Sequence, residues 1–164
     1  MNKKFIITDP CYLVASKGLW NWFCNLIEDA DLSEGEAVTI KAEKILSQYL
    51  DTPVRVASTG YGDWSNDIHG KNVIRTNFFA DAGLVCVVEL TPLVDQMHES
   101  IFGYSISDKP VGVAVIEAEG LADVRFDTSN PHWTVITITD TDGNVYRSAT
   151  YEEHFGIDDE DEEC

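Results

Sequence analysis

Between Thr59 and Gly70 the chain reads Thr-Gly-Tyr-Gly-Asp-Trp-Ser-Asn-Asp-Ile-His-Gly, so that Asp63, Asn66, Asp67 and His69 supply carboxylate, amide and imidazole groups close together. Such a set could hold a hard divalent cation, and its three glycines would let the backbone turn sharply or approach a ligand closely. The spacing matches neither an EF-hand loop nor the HExxH pattern of zinc proteases. The plainer reading is a long β-hairpin loop whose Asp and Asn side chains satisfy their own backbone, and we prefer it. The expected cofactor is therefore none, with a divalent cation as the alternative. A site here would need these groups to converge with Asp81 on one face, because a ligand is held by groups that point inward together.

Two further segments hold candidate groups. Ala80-Asp81-Ala82-Gly83 interrupts two apolar runs, and an acid between buried strands is costly unless it is paired or hydrogen-bonded. A turn would place Asp81 at the surface; a strand running straight through would make Asp81 and Gly83 a bulge beside a site. Asp9-Pro10-Cys11-Tyr12 contributes Asp9 as a third carboxylate and Cys11 as a thiol. Cys11 with His69, His98 or His132 would form a nucleophile and base only through spatial proximity, and no hydrolase signature flanks it. A structural thiol is preferred. Cys11, Cys24, Cys86 and Cys164 contain no CxxC spacing, and reduced thiols are expected, Cys24 and Cys86 being buried within apolar runs.

The elements that position these groups follow from periodicity. Lys4–Thr8 reads as a strand ended by Asp9-Pro10, with Cys11–Ala15 continuing it after a kink. Ser16 caps a helix over Lys17–Asp29, and a capping box at Ser33–Glu36 opens a second, on which Val38, Ala42, Ile45 and Tyr49 share a face up to Leu50. Val54–Ala57, Asn72–Phe79 and Leu84–Leu90 read as strands, and Thr91–Ser100 as a short helix with Pro92 in its first turn. Four further strands are expected at Val111–Glu119, Ala122–Phe126, His132–Thr139 and Asn144–Thr150. Asp142-Gly143 reads as a type I′ hairpin turn between the last two. The expected fold class is α+β: two N-terminal helices packed on a mainly antiparallel sheet, as one domain over residues 1–151.

The chain carries 29 acidic and 11 basic residues, a net charge of −18. Eight of the acids lie in residues 152–164, which leaves 21 acids and 11 bases in residues 1–151. The terminal run is expected to stay unfolded, since like charges repel. A body this acidic disfavours nucleic acid and anionic membrane and attracts basic surfaces. No apolar stretch approaches the length of a membrane span, and Phe5-Ile6-Ile7 is too short for a signal-peptide core. The phosphate-cradling GxxxxGK[ST] and the GxSxG elbow are also missing.

Taken together, the blocks Asp9-Pro10-Cys11-Tyr12, Thr59–Asn66 and Ala80–Gly83 resemble a family of small, largely uncharacterised proteins of phages and their bacterial hosts. The resemblance implies a phage or mobile-element origin and the cytoplasm of a bacterial host, and it brings no catalytic residue with it. Two functional expectations result. The first is an acidic binding protein, a phage accessory or counter-defence factor, that occupies a basic surface of a host protein. The second is a small-ligand or metal-dependent site built from the 59–70 segment, Asp81 and Asp9. The first is preferred because no catalytic constellation closes in the sequence.

Overall fold

The computed structural model describes residues 2–13, 35–58, 64–80, 84–108, 112–130 and 133–155. Its strands are β1 (Lys3–Thr8), β2 (Val54–Ser58), β3 (Trp64–His69), β4 (Val73–Arg75), β5 (Asn77–Ala80), β6 (Leu84–Glu89), β7 (Ala114–Ala118), β8 (Leu121–Asn130), β9 (Trp133–Asp140) and β10 (Val145–Ser148). The helices are α1 (Gly35–Leu50), α2 (Pro92–Phe102) and the single turn α3 (Tyr151–Phe155). The strands form two five-stranded sheets, ordered β2-β6-β1-β7-β4 and β5-β3-β10-β9-β8, and the pairings are antiparallel.

This overturns the expected α+β arrangement of two helices on one sheet: the chain is mostly β. Two segments account for the difference. The polar 59–70 stretch reads as loop, yet residues 64–69 form β3. The run Asn72–Phe79 reads as one strand, but it breaks at Thr76 into β4 and β5, which join different sheets. The helix expected over Lys17–Asp29 lies outside the described residues. A 3₁₀ turn at Pro10–Leu13 replaces the expected start of a strand continuation, because proline at the bend withholds a ladder donor.

Period-two alternation gives the first sheet two buried faces. Phe5, Ile7, Val85, Val87, Ala114 and Ile116 meet Ile68, Phe78, Val124, Ile136, Ile138 and Tyr146 of the second sheet in one core. Ile6, Cys86, Val88, Val54, Val56 and Val115 turn the other way, onto Ala42, Leu46 and Leu50 of α1 and Val94 of α2. The buried stripe of α1 therefore repeats every four residues, as a helix lying on a sheet requires. α1 ends where Asp51 adopts φ 55°. α2 begins at an N-cap in which Thr91 accepts from the Val94 N–H (3.2 Å), has Pro92 in its first turn, and ends at Gly103 with φ 81°.

Each sheet has two edge strands, and three of these four edges are short or covered. At β2 the outward N–H groups of Val54 and Val56 are capped by Ser47 Oγ (3.1 Å) and Glu43 Oε2 (2.8 Å) of α1. At β5 the Phe79 N–H donates to Gly112 O (3.1 Å), and Phe79 O accepts from the Asp9 N–H (3.1 Å), which stitches the two sheets together along that side. β4 is only three residues long. The fourth edge, β8, is ten residues long and largely exposed. Long open edges invite pairing with another strand, which is why most are blunted.

Candidate functional site

The described residues that border the three sequence blocks lie together at one end of the two sheets. Thr8 lies opposite Cys86, Ser58 opposite Leu84 and Trp64 opposite Ala80, while Asp9 is hydrogen-bonded through its backbone to Phe79. The strand ends that flank residues 59–63 and 81–83 are thus gathered around Asp9. Asp63 and Asp81 themselves lie outside the described residues. β5 and β6, on either side of Asp81, belong to different sheets; only β6 pairs with β2.

Asp9 is fully buried, as is the thiol of Cys86. Burial pushes the Cys86 thiol far above its ordinary range, and the charge of Asp9 pushes it further against the opposing hydrogen bond of Thr8. Cys86 therefore stays a thiol and is no nucleophile. Packing around this end is close. The Thr8 hydroxyl donates to Gly112 O (2.9 Å), and Gly112 has φ 65° with the Tyr12 and Phe79 rings beside it. A Cβ there would lie 2.9 Å from Tyr12 Cε2, so only glycine fits.

The remaining candidates are dispersed along β3, because successive strand residues point to opposite faces. Asn66 points inward and is fully buried. Its Nδ2 donates to Ala149 O (3.2 Å), which also accepts from Trp133 Nε1 (2.8 Å), and its Oδ1 accepts the Asp67 N–H (2.8 Å). Asn66 is a structural clamp between β3 and the chain after β10. Asp67 is half-buried, with Oδ1 accepting from Asn77 Nδ2 (3.2 Å). His69 is exposed, opposite Arg147 of β10. Asp9, Asn66 and the Asp67–His69 pair thus occupy different places, and Asn66, Asp67 and His69 do not share one face. Among the described residues no three His, Cys, Asp or Glu side chains come together as a metal site.

Two polar features escaped the sequence. The first is Asp140, only 2% exposed at the end of β9. Its Oδ1 accepts the N–H groups of Asp142 and Asn144 (both 2.9 Å), and its Oδ2 accepts from Asn144 Nδ2 (3.1 Å) and the Tyr146 hydroxyl (3.0 Å). Asn72 Nδ2 in turn donates to that hydroxyl (3.3 Å). Burial alone would raise the Asp140 carboxyl, but the bonds from Asn144, Tyr146 and Asp142 outweigh it and hold the group below its ordinary value. Burial, with help from Asp140, raises the Tyr146 phenol against the opposing Asn72 bond. The expected type I′ turn is replaced by a three-residue loop: Gly143 alone has positive φ (88°), its N–H returns to Asp140 O (3.0 Å), and the Asp140 N–H bonds Asn144 O (2.9 Å). Asp140 is the reason, since it gathers the loop's N–H groups.

The second feature is the outer face of α2 and the turn that follows it. Between Arg75 and Lys109 the sequence contains no Lys or Arg. On this surface Glu99, Tyr104 and Asp108 are exposed, Ile101 is 37% exposed, and no basic residue stands in the last turn of α2. A helix C-terminus carries partial negative charge, and Glu99 and Asp108 near that end add to a negative pole that no basic residue in the last turn of the helix offsets. Asp95 is committed elsewhere, accepting the Ile106 N–H (2.5 Å) and so fixing the turn. The lack of Lys and Arg between Arg75 and Lys109 is the sequence signal that points to this surface.

The clefts are less suited to chemistry. One of about 640 Å³ lies between α1, β2 and β8, and another of about 350 Å³ between β2, β6 and β8. Arg55 lines both, held by Glu43 (3.2 Å) and lying over the Phe126 ring (5.9 Å), so its charge is already matched. The first residues of the terminal acidic run, expected to stay unfolded, are helical. Residues 151–155 are helical because Thr150 and Glu153 form a reciprocal capping box: Glu153 Oε1 accepts the Thr150 N–H (2.8 Å), and Thr150 Oγ1 accepts the Glu153 N–H (3.1 Å). Residues 156–164 lie outside the described residues.

Among the described residues no helix is long and apolar enough to cross a membrane. Compared with known proteins, the chain matches no family model, no curated sequence and no solved structure.

Proposed function

We propose that this chain is an acidic binding protein that engages a basic surface of another protein, and that the outer face of α2 makes the contact. The observation that carries the reading is the pole formed by Glu99, Asp108 and the C-terminal end of α2, with Tyr104 and Ile101 exposed beside it. A Lys or Arg from a partner would be drawn to that negative pole, and a tyrosine face offers it a cation–π contact. Exposed aromatic and aliphatic groups supply the apolar part of such an interface. The resemblance in the three sequence blocks points to the cytoplasm of a bacterial host, where a phage accessory or counter-defence protein would occupy a host factor that normally meets nucleic acid. Nucleic acid and anionic membrane are not partners, because the surface offers carboxylates where those ligands need cations.

The test is affinity isolation from a bacterial lysate with the full chain and with a Glu99→Lys, Asp108→Lys variant. The reading expects basic proteins on the unmodified chain, released by salt and lost from the variant. Capture of the same proteins by both chains would refute it. So would purified single-stranded or duplex DNA bound by the unmodified chain at physiological salt.

A further inference from the structure

We propose that the open edge of β8 is a self-association surface, on which a second copy of the chain pairs antiparallel through its own β8. The contrast among the four edges is the starting point. β2 is capped by α1, β5 is stitched to Asp9 and Gly112, and β4 is three residues long. Among the described residues β8 has no such cover over its regular run, Asp123–Asp127, which pairs with β9 without a register shift. Along an edge strand alternate N–H and C=O groups point away from the sheet, ready to complete another ladder.

Charge selects the occupant. Asp123, Arg125 and Asp127 alternate down one face of β8, and all three are exposed. Arg125 is bonded to Asp123 of its own strand (2.6 Å), while Asp127 has no cation partner among the described residues and bonds only Ser129 (3.0 Å). A two-fold axis through Phe126 places Arg125 of each copy opposite Asp127 of the other and Phe126 opposite Phe126. Each arginine then keeps Asp123 and gains a carboxylate, and each Asp127 gains a cation. An axis through Arg125 would instead oppose arginine to arginine and Asp123 to Asp127, which like-charge repulsion forbids. An axis through Val124 would oppose Arg125 only to Asp123, the kind of residue it already holds, and leave Asp127 without a cation, so the register centred on Phe126 satisfies the most charge. A two-fold contact of this kind closes and stops at the dimer. The edge alone is a small interface, and each copy carries −18, so the dimer is weak and fills only at high concentration.

The experiment is sedimentation velocity on the full chain from micromolar to millimolar concentration at physiological salt. The same measurement is made on Arg125→Asp, on Asp127→Arg, and on an equimolar mixture of the two. Circular dichroism verifies that each variant keeps its strand content. The unmodified chain should dimerise with rising concentration, and each single variant should lose at least tenfold in association constant. The mixture should recover it, because positions 125 and 127 are then both acidic in one chain and both basic in the other. A chain that stays monomeric throughout overturns the proposal, leaving the edge to an extended segment of a different protein. A dimer that neither variant weakens, or that mixing does not restore, overturns it as well, since another surface would then be responsible.

Discussion

Replacing Asp140 by asparagine keeps the shape of the side chain and removes the reason for its position. In Asp140→Asn one oxygen still accepts the N–H groups of Asp142 and Asn144, but the new amide nitrogen faces two donors, Asn144 Nδ2 at 3.1 Å and the Tyr146 hydroxyl at 3.0 Å. Tyr146 is fully buried and already accepts from Asn72, so its hydroxyl cannot turn round without leaving one of them short. A buried donor left unmet costs about 1–3 kcal/mol, and bonds to a charged acceptor lie toward the upper end, so the two together amount to about 3 kcal/mol. For a chain of this size that lowers Tm by roughly 6–12 °C. Urea unfolding followed by tryptophan fluorescence measures it, with an unchanged slope showing that the two states are the same. The pH dependence provides a second arm. The folded-state pKa of Asp140 lies below its ordinary value of 3.8, so the stabilisation is complete above that value and is lost as pH falls through the folded one. The gap between the two proteins should therefore narrow in acid. A loss under about 1 kcal/mol at neutral pH would show that the network does not hold the hairpin, and a gap that widens in acid would show the same.

Other substitutions address separate parts of the molecule. Gly70→Ala would drive a methyl into the buried Tyr146 ring, 2.9 Å from Cγ and nearer still to Cδ2, and should cost about 1–3 kcal/mol by calorimetry. Glu43→Ala uncaps the Val56 N–H and frees Arg55; about 1–2 kcal/mol of stability should be lost, and light scattering should register aggregation through the exposed β2 edge. Asp67→Asn and His69→Ala alter side chains outside the core and should each change stability by less than about 0.5 kcal/mol, whereas Asn66→Ala should cost about 1–2 kcal/mol by the same urea assay.

What can be read from the sequence is whatever depends on local pattern. β1, β6 and β9 are rich in β-branched residues, and they and β10 lie close to where periodicity puts them, while α1 and α2 carry their stripes and turn signals in plain view. β3 is hidden because Ser65, Asn66, Asp67 and His69 look like loop. Their polarity is split between an outer face and one buried asparagine, whose amide nitrogen finds its acceptor at Ala149, 83 residues away. The break at Thr76 is likewise invisible, since assignment of β4 and β5 to different sheets is a long-range matter. Nearness in sequence groups the candidate ligands, whereas a strand sends neighbours to opposite faces. Asp140 is hidden because an acid beside a turn reads as a surface group: its four bonds are local to the hairpin, but its burial against Tyr146, whose hydroxyl Asn72 reaches from 74 residues away, is not.

The cap on β2 ties a helix to a sheet through commensurate repeats. Four residues of α-helix advance about 6 Å, and two residues of strand advance about 6.6 Å, so Glu43 and Ser47 fall in step with Val56 and Val54. The mismatch of about 0.6 Å per repeat lets such a match persist for only a few steps. The amides of Val54 and Val56 therefore point away from their own sheet yet owe their protection to α1. In hydrogen–deuterium exchange these two amides should keep time with the docking of the helix, while their inward-bonded neighbours keep time with β6. A single five-residue strand would then carry two clocks, alternating residue by residue.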